Sequence, residues 1–206
     1  MAIILDVMNA GPVIPVLAFE NVTEAVEVCE ALYGEGIRVF EITLRHPSAL
    51  EAIAAVKAAL PAEAIVGAGT VLTPELAKQA KDAGASFGVS PGLTEELAHA
   101  VKALDLPFLP GVATLSEAMT ARELGFTELK FFPASVSGGP AFLKAVGSVL
   151  PDLTFCPTGG VSADTAAEYR ELKNVVTVGG SWITKRSRDG TINLRVVRER
   201  AKAIFA

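Results

Sequence analysis

The segment VFEITLRHPSALEAIAAVKAALP, residues 39 to 61, changes from a strand pattern to a helix pattern within a few residues. Its first part, VFEITL, is rich in β-branched and aromatic residues, which favour a strand. Its second part follows a serine and carries apolar residues three and four positions apart, which predicts a helix. The segment is therefore a strand–helix unit, and the fold depends on how often this unit recurs.

The same unit recurs along the chain. Eight β-rich runs alternate with helical patterns, at residues 13–19, 39–44, 64–70, 86–91, 107–112, 128–134, 154–160 and 175–182. Eight such units in series predict an α/β fold, a closed (β/α)8 TIM barrel, at a length near the lower limit of that fold. A doubly wound open sheet is the alternative, but it typically has about five or six strands. We expect a single barrel domain over residues 1–206, with a short N-terminal helix before the first strand.

Composition excludes several classes of partner. The net charge of -5 and the pI near 5.2 provide no basic surface for nucleic acid. No apolar stretch is long enough to cross a bilayer, and the N-terminus has no signal-peptide pattern. Cys29 and Cys156 lack the close spacing of a zinc or redox motif, and two histidines are too few for a typical metal site. We expect a cytoplasmic protein with reduced thiols and without a metal.

Charged residues interrupt two of the predicted strands. Alternation in a strand places Glu41, Thr43 and Arg45 on one face, while Phe40 and Ile42 face the helices. In the run ELKFFPA, residues 128 to 134, the same alternation turns Lys130 and Phe132 away from the helices; Lys130 is the only one of nine lysines that falls within a strand. Because barrel enzymes bind substrate at the C-terminal ends of the strands, these residues are candidates for an active site.

Two interpretations of Lys130 and Glu41 remain open from the residues alone. The pair can be a buried structural salt bridge. Alternatively, Lys130 can form a Schiff base, because desolvation among apolar side chains favours the neutral, nucleophilic amine. In that case Glu41 can move the protons that carbon–carbon bond cleavage requires.

Further polar groups follow the strand ends. Arg45 either binds a carboxylate or is an exposed charge at the rim, and Thr70 in GAGT would lie near the reacting carbonyl. The glycine pairs in PTGG (157 to 160) and GGS (179 to 181) follow strands seven and eight, where barrels often bind phosphate through loop N–H groups. Thr158 and Ser181 would add hydroxyl donors there. His46 follows Arg45 and is either a substrate contact or a solvated loop residue.

The residues described above match a known family. The sequence resembles the bacterial KDPG/KHG aldolases, which act on 2-keto-3-deoxy-6-phosphogluconate (KDPG). The matching blocks, in chain order, are EITLR (41 to 45), IVGAGTVL (65 to 72), SPGLT (90 to 94), LPGVAT (109 to 114), LKFFPA (129 to 134), FCPTGGV (155 to 161) and VGGSW (178 to 182). The resemblance implies a class I, metal-independent homotrimeric aldolase that cleaves KDPG to pyruvate and glyceraldehyde 3-phosphate, without a cofactor.

The resemblance also implies roles for individual residues. Lys130 would be the Schiff-base lysine and Glu41 the acid/base. Substrate-binding roles fall to Arg45, Thr70, Pro91, Phe132 and Thr158, and the phosphate site to Gly159, Gly160, Gly180 and Ser181. His46 and the basic segment ITKRSRDGTINL after Trp182 depart from the family pattern and leave the aldehyde partner and the epimer open.

Other functions remain possible at this point. The galactonate epimer or 4-hydroxy-2-ketoglutarate is an alternative substrate for the same chemistry. A phosphate-sugar isomerase or epimerase would use the phosphate loops without an imine. A non-catalytic barrel that binds a keto acid would have no use for an inward lysine and carboxylate.

Overall fold

The computed structural model describes residues 3–205 and confirms the α/β class. Each of the eight predicted runs contains a strand. The strands are β1 (Val13–Leu17), β2 (Val39–Thr43), β3 (Ile65–Gly69), β4 (Gly88–Val89), β5 (Phe108–Leu109), β6 (Gly111–Val112), β7 (Glu128–Phe131), β8 (Thr154–Pro157) and β9 (Val178–Gly180). The fifth run therefore holds two short strands, β5 and β6, on either side of Pro110.

Helices follow most of these strands. They are α1 (Ile4–Asn9), α2 (Val22–Gly34), α3 (Ala49–Ala59), α4 (Pro74–Asp82), α5 (Glu95–Ala103), α6 (Leu115–Glu123), α7 (Gly139–Val149), α8 (Ala166–Arg170) and α9 (Leu194–Lys202), with a 3-10 helix at Trp182–Thr184. The short helix predicted before the first strand is present as α1. Three helices begin at a threonine whose hydroxyl accepts a backbone N–H, namely Thr73, Thr94 and Thr114, which satisfies a donor that the first helical turn leaves free.

The predicted closed (β/α)8 barrel is wrong. Among residues 3–205 the strands form a six-stranded parallel half-barrel sheet in the order β5-β4-β3-β2-β1-β9, which is open with edges 11 Å apart. The strands β6, β7 and β8 form a separate three-stranded parallel sheet. Beyond these ladders, isolated parallel bridges join Phe155 to Val175 and Thr158 to Gly179.

Two prolines account for the interrupted pairing. The carbonyl of Pro110 accepts the N–H of Lys130, so the backbone of Pro110 faces β7. Proline has no N–H, so Pro110 cannot donate a hydrogen bond to β7, and the ladder is interrupted at this position. The N–H of Phe155 bonds to Asn174, and alternation turns Pro157 to that same side. Pro157 therefore provides no donor toward β9, and an isolated bridge replaces a continuous ladder.

Buried side chains form two clusters, one on each face of the sheets. The outer cluster lies between strands and helices and includes Phe40, Ile42, Leu129 and Phe131. The inner cluster consists of Val7, Met8, Ile14, Val39, Phe87, Val89, Leu109 and Cys156. Helix α1 contributes Val7 and Met8, and Ile14 and Val39 lie at the starts of β1 and β2, so the inner cluster fills the N-terminal end of the inner face there. Cys156 lies level with Lys130. The polar inward residues lie farther along the strands, toward their C-terminal ends.

Candidate active site

Strand β2 turns a carboxylate and a hydroxyl inward, as the alternation predicts. Glu41 and Thr43 are 3% and 2% exposed, whereas Phe40 and Ile42 pack in the outer cluster. The Thr43 hydroxyl donates to the carbonyl of Leu17 at 2.8 Å, which ties β2 to β1. The strand ends at Thr43, so Arg45 lies in the following turn and is exposed. Alternation therefore holds for the first two residues of the series and does not extend to Arg45.

Lys130 on β7 meets Glu41 on β2. Its neighbours Leu129 and Phe131 belong to the outer cluster, and its own side chain is 6% exposed. Nζ donates to Oε1 of Glu41 at 3.3 Å, and Nζ lies 5.3 Å from the centroid of the Phe132 ring. Two charges taken out of water in this way cost several kcal/mol each unless they pair. The structure thus joins the two candidate catalytic groups in one buried pair.

Cys156 lies beside this pair. It is the register partner of Lys130 in the β7–β8 ladder and is almost fully buried. Burial raises the pKa of the Cys156 thiol to about 12; the Lys130 charge and the Thr158 hydrogen bond lower it by less, and the Glu41 charge raises it further. The thiol stays neutral at neutral pH and packs as a small apolar group.

Glycines at inward strand positions make room for the polar side chains. A Cβ on Gly69 in β3 would overlap the carboxylate of Glu41, and a Cβ on Gly179 in β9 would overlap the hydroxyl of Thr158. Gly69 is not among the residues that the sequence predicts for the site, and Gly179 is predicted only within the GGS motif as part of a phosphate loop. The available signal was the alternation in IVGAG, which places Gly67 and Gly69 on the inner face of β3.

Arg45 and Thr70 come together at the ends of β2 and β3. Nε of Arg45 donates to the Thr70 hydroxyl at 3.3 Å. Thr70 has a φ of 59°, in the left-handed region that β-branched residues rarely adopt. His46 contacts Ser48 instead, with 2.8 Å between Nδ1 and the serine hydroxyl, directly before α3.

The loops PTGG and GGS lie side by side. Thr158 is buried and bridges to Gly179, while Gly159 and Gly160 have φ values of 92° and 76° that favour glycine. Gly159 packs on the Phe132 ring, and Gly160 lies against Ser135.

The GGS loop contributes an exposed hydroxyl. Ser181 is exposed and directly precedes the 3-10 helix, whereas Gly180 is buried against Trp182. The candidate phosphate residues therefore lie at neighbouring strand ends. The Phe132 ring contacts both Gly159 of this group and the side chain of Lys130.

Pro91 lies near the strand that carries Lys130, because a Cβ on Gly111, the register partner of Lys130, would overlap the Pro91 backbone. It follows β4 and lines a cavity of about 250 Å³ with Gly111 and Ser116, and this lining includes neither Lys130 nor Glu41.

Within residues 3–205, no group of three or more His, Cys, Asp or Glu is arranged to hold a metal ion. No helix in the described part of the chain has the length and apolar character needed to cross a membrane.

Comparison with known proteins places the chain among aldolases. The family described as KDPG and KHG aldolase matches residues 4–196. A KHG/KDPG aldolase of Escherichia coli is 44% identical over 178 residues, which are 86% of this chain and 83% of the relative.

Solved structures agree with this match. The crystal structure of 2-keto-3-deoxy-6-phosphogluconate aldolase from Zymomonas mobilis has a TM-score of 0.94 at 41% identity and covers 100% of this chain and 97% of that one. The KDPG aldolase of Legionella pneumophila, with pyruvate captured as a covalent carbinolamine intermediate, has a TM-score of 0.93 at 40% identity, with 97% of both chains covered.

Proposed function

The chain belongs to the KDPG and KHG aldolase family, and we propose that it cleaves KDPG to pyruvate and glyceraldehyde 3-phosphate through an imine on Lys130. The observation that carries this proposal is the buried contact of 3.3 Å between Nζ of Lys130 and the carboxylate of Glu41. A nucleophilic amine and a proton carrier are the two groups that such a cleavage needs.

The reaction begins at the C2 ketone. The neutral amine of Lys130 adds to C2 and forms a carbinolamine. Glu41 in its protonated form gives a proton to the carbinolamine hydroxyl, which leaves as water, and a protonated imine remains. The related Legionella protein, in which pyruvate was captured as a covalent carbinolamine, supports this first step.

Cleavage follows from the charge of the imine. The Glu41 carboxylate takes the proton of the C4 hydroxyl, the C3–C4 bond breaks, and its electron pair moves to C3 as an enamine. Glyceraldehyde 3-phosphate leaves. Glu41 then returns the proton to C3, and water hydrolyses the imine to release pyruvate and free Lys130.

The remaining residues hold the two ends of the substrate. Arg45 and Thr70, joined by their hydrogen bond, bind the carboxylate next to C2. Phe132 and Pro91 are apolar walls. Thr158 lies beside the reacting carbon. The N–H groups of Gly159, Gly160 and Gly180, with the Ser181 hydroxyl, bind the phosphate.

Steady-state cleavage of KDPG tests the proposal, with pyruvate release as the readout. We expect Lys130→Ala to abolish turnover, because no other buried amine faces Glu41 among the described residues. Lys144→Ala removes an exposed lysine on α7 and is the matched control, with turnover at the wild-type level. Substantial turnover in Lys130→Ala would refute the imine route.

A second substrate is suggested by the relatives. The Escherichia coli relative carries the double name KHG/KDPG aldolase, and 4-hydroxy-2-ketoglutarate has the same keto acid end without a phosphate. If the glycine loops bind phosphate, kcat/KM will be higher for KDPG than for 4-hydroxy-2-ketoglutarate. Equal values would make the unphosphorylated substrate an equal candidate.

We also propose that the protein is a cytoplasmic homotrimer. Cys29 and Cys156 are free and buried, which suits a reducing compartment. Leu115 and Met119, four residues apart on α6, are 39% and 48% exposed and offer apolar surface for contact between copies.

A further inference from the structure

Gly69, the last residue of β3, lies directly against the carboxylate of Glu41. Val66 and Ala68 belong to the outer cluster, so alternation turns Gly69 inward, where it pairs in register with Thr43. A Cβ on Gly69 would overlap Oε1 of Glu41 and would lie 2.7 Å from its Cγ and 2.9 Å from its Cδ. The side chain of Glu41 therefore fills the space that any side chain at position 69 would need.

The backbone at this position does not require glycine. The φ of Gly69 lies outside the left-handed region, in contrast to Gly159 and Gly160. Glycine within a strand is less favourable than alanine by about 0.5–1 kcal/mol, because it loses more conformational freedom on folding. The close approach of Glu41 is the feature of the site that excludes a larger residue.

We propose that Gly69 is a positioning residue for the lyase reaction: its missing side chain allows Glu41 to lie against β3 with its carboxylate 3.3 Å from Nζ of Lys130. This inference rests on the proposed role of Glu41 as the proton carrier. Any side chain at position 69 displaces the carboxylate. A displacement of about 1 Å can cost about 10²-fold in rate, because proton transfer depends on the distance between the groups.

Strand β3 supplies its own matched control. Gly67 faces inward on the same strand, two residues earlier, and a Cβ there would overlap the ring of Phe87 in the inner cluster. Both Gly69→Ala and Gly67→Ala introduce a methyl group into a filled space, so both should lower the melting temperature. Only Gly69→Ala should lower kcat, by about 10²-fold. A similar loss of kcat in folded Gly67→Ala would overturn the proposal, since any methyl group on the inner face of β3 would then have the same effect as one against Glu41.

A double-mutant cycle with Glu41→Gln tests whether Gly69 acts through Glu41. Alone, Glu41→Gln should lower turnover by about 10²- to 10⁴-fold. If Gly69 acts through this side chain, Gly69→Ala adds little further loss in the Glu41→Gln protein. An equal loss in both backgrounds, or wild-type turnover in Gly69→Ala, overturns the role of Gly69. Unchanged turnover in Glu41→Gln would overturn the role of Glu41 as proton carrier, on which the role of Gly69 rests. Failure of the Glu41 proposal is thereby distinguished from failure of the Gly69 proposal alone.

A variant that does not fold still decides the question. If Gly69→Ala is unfolded, adding Glu41→Ala removes the group that the new methyl overlaps, and adding Lys130→Met as well leaves no buried charge without a partner. Recovery of a cooperative unfolding transition in this triple variant supports the proposal. A triple variant that remains unfolded overturns it, because an obstacle other than Glu41 would then occupy the space.

Discussion

At the scale of single residues, the site combines a buried charge pair with an unfavourable backbone conformation. Lys130 and Glu41 are paired out of water, and Thr70 holds a φ of 59° while its hydroxyl accepts from Arg45. Strained conformations of this kind cost about 1–3 kcal/mol and tend to occur where function requires them. Stability and activity should therefore oppose each other at Thr70.

Thr70→Gly should raise stability and lower activity. Glycine adopts the left-handed region without strain, so we expect the free energy of unfolding to rise by about 1 kcal/mol. Loss of the hydroxyl should lower kcat/KM for KDPG by roughly tenfold, which is the effect of one hydrogen bond.

Denaturant unfolding and steady-state kinetics measure the two effects of Thr70→Gly. The control is Asp105→Gly, since Asp105 is the other described non-glycine residue with positive φ, at 52°, and lies just after α5. That variant should leave kcat/KM unchanged. A less stable Thr70→Gly protein, or one with wild-type kcat/KM, would contradict this account.

At the scale of elements, lysines at helix ends join neighbouring helices. Lys57 near the end of α3 donates to the carbonyl of Gly84, which follows α4. Lys81 on α4 donates to the carbonyl of Leu104, which follows α5. Lys102 on α5 donates to the carbonyl of Leu124, which follows α6. A lysine on an exposed helix face is typically only a solvated charge. Each of these lysines instead binds a carbonyl at the C-terminal end of the next helix, where the helix dipole favours a cation.

A second contact between elements fixes the segment after Trp182. Arg186 donates to both carboxylate oxygens of Glu24 on α2, at 2.8 and 2.6 Å. Burial pushes the pKa of the Glu24 carboxyl upward, but the hydrogen bonds from Arg186 and from the Glu20 N–H, with the charge of Arg186, outweigh burial and hold that pKa below its ordinary value of 4.5. The pair therefore stabilises the fold above pH 4.5, and its contribution is lost as the pH falls through the lowered pKa.

Glu24→Gln should lower the free energy of unfolding by about 1–2 kcal/mol at pH 7, because it replaces two charged hydrogen bonds. The difference from wild type should shrink when unfolding is measured at progressively lower pH, below the ordinary pKa of 4.5. Glu27→Gln, an exposed residue one turn later on α2, is the control and should have little effect. A difference that stays constant between pH 7 and pH 3 would show that the charge of Glu24 is not the cause.

The sequence predicts the elements well because each depends on local patterns. Alternation identifies Glu41 and Lys130 as inward residues, and threonine caps mark helix starts such as Thr94. Closure of the sheet is different, since it depends on whether distant edges pair. Pro110 and Pro157 each lack a backbone N–H at a junction between strands. The strand patterns in the sequence do not reveal which neighbouring strand loses that hydrogen bond. Gly69 was missed for a similar reason, because its role depends on a contact with another strand.

At the scale of the whole molecule, the proposed homotrimer can be tested by mass. Light scattering of the purified protein should give three times the chain mass of 21.4 kDa, since the exposed apolar residues on α6 suit burial between copies. Met119→Lys places a charge on that surface and should shift the protein toward smaller species, whereas Lys144→Ala should not. A wild-type protein with the mass of a single chain would contradict the proposal.

Borohydride reduction in the presence of pyruvate shows whether Lys130 forms an imine with the keto acid. Reduction converts the imine to a stable amine, and mass spectrometry of the digested protein then locates the added group. We expect one reduced pyruvate per chain on the peptide that contains Lys130, and none in Lys130→Ala. An unmodified wild-type protein, or an adduct on a different lysine, would contradict it.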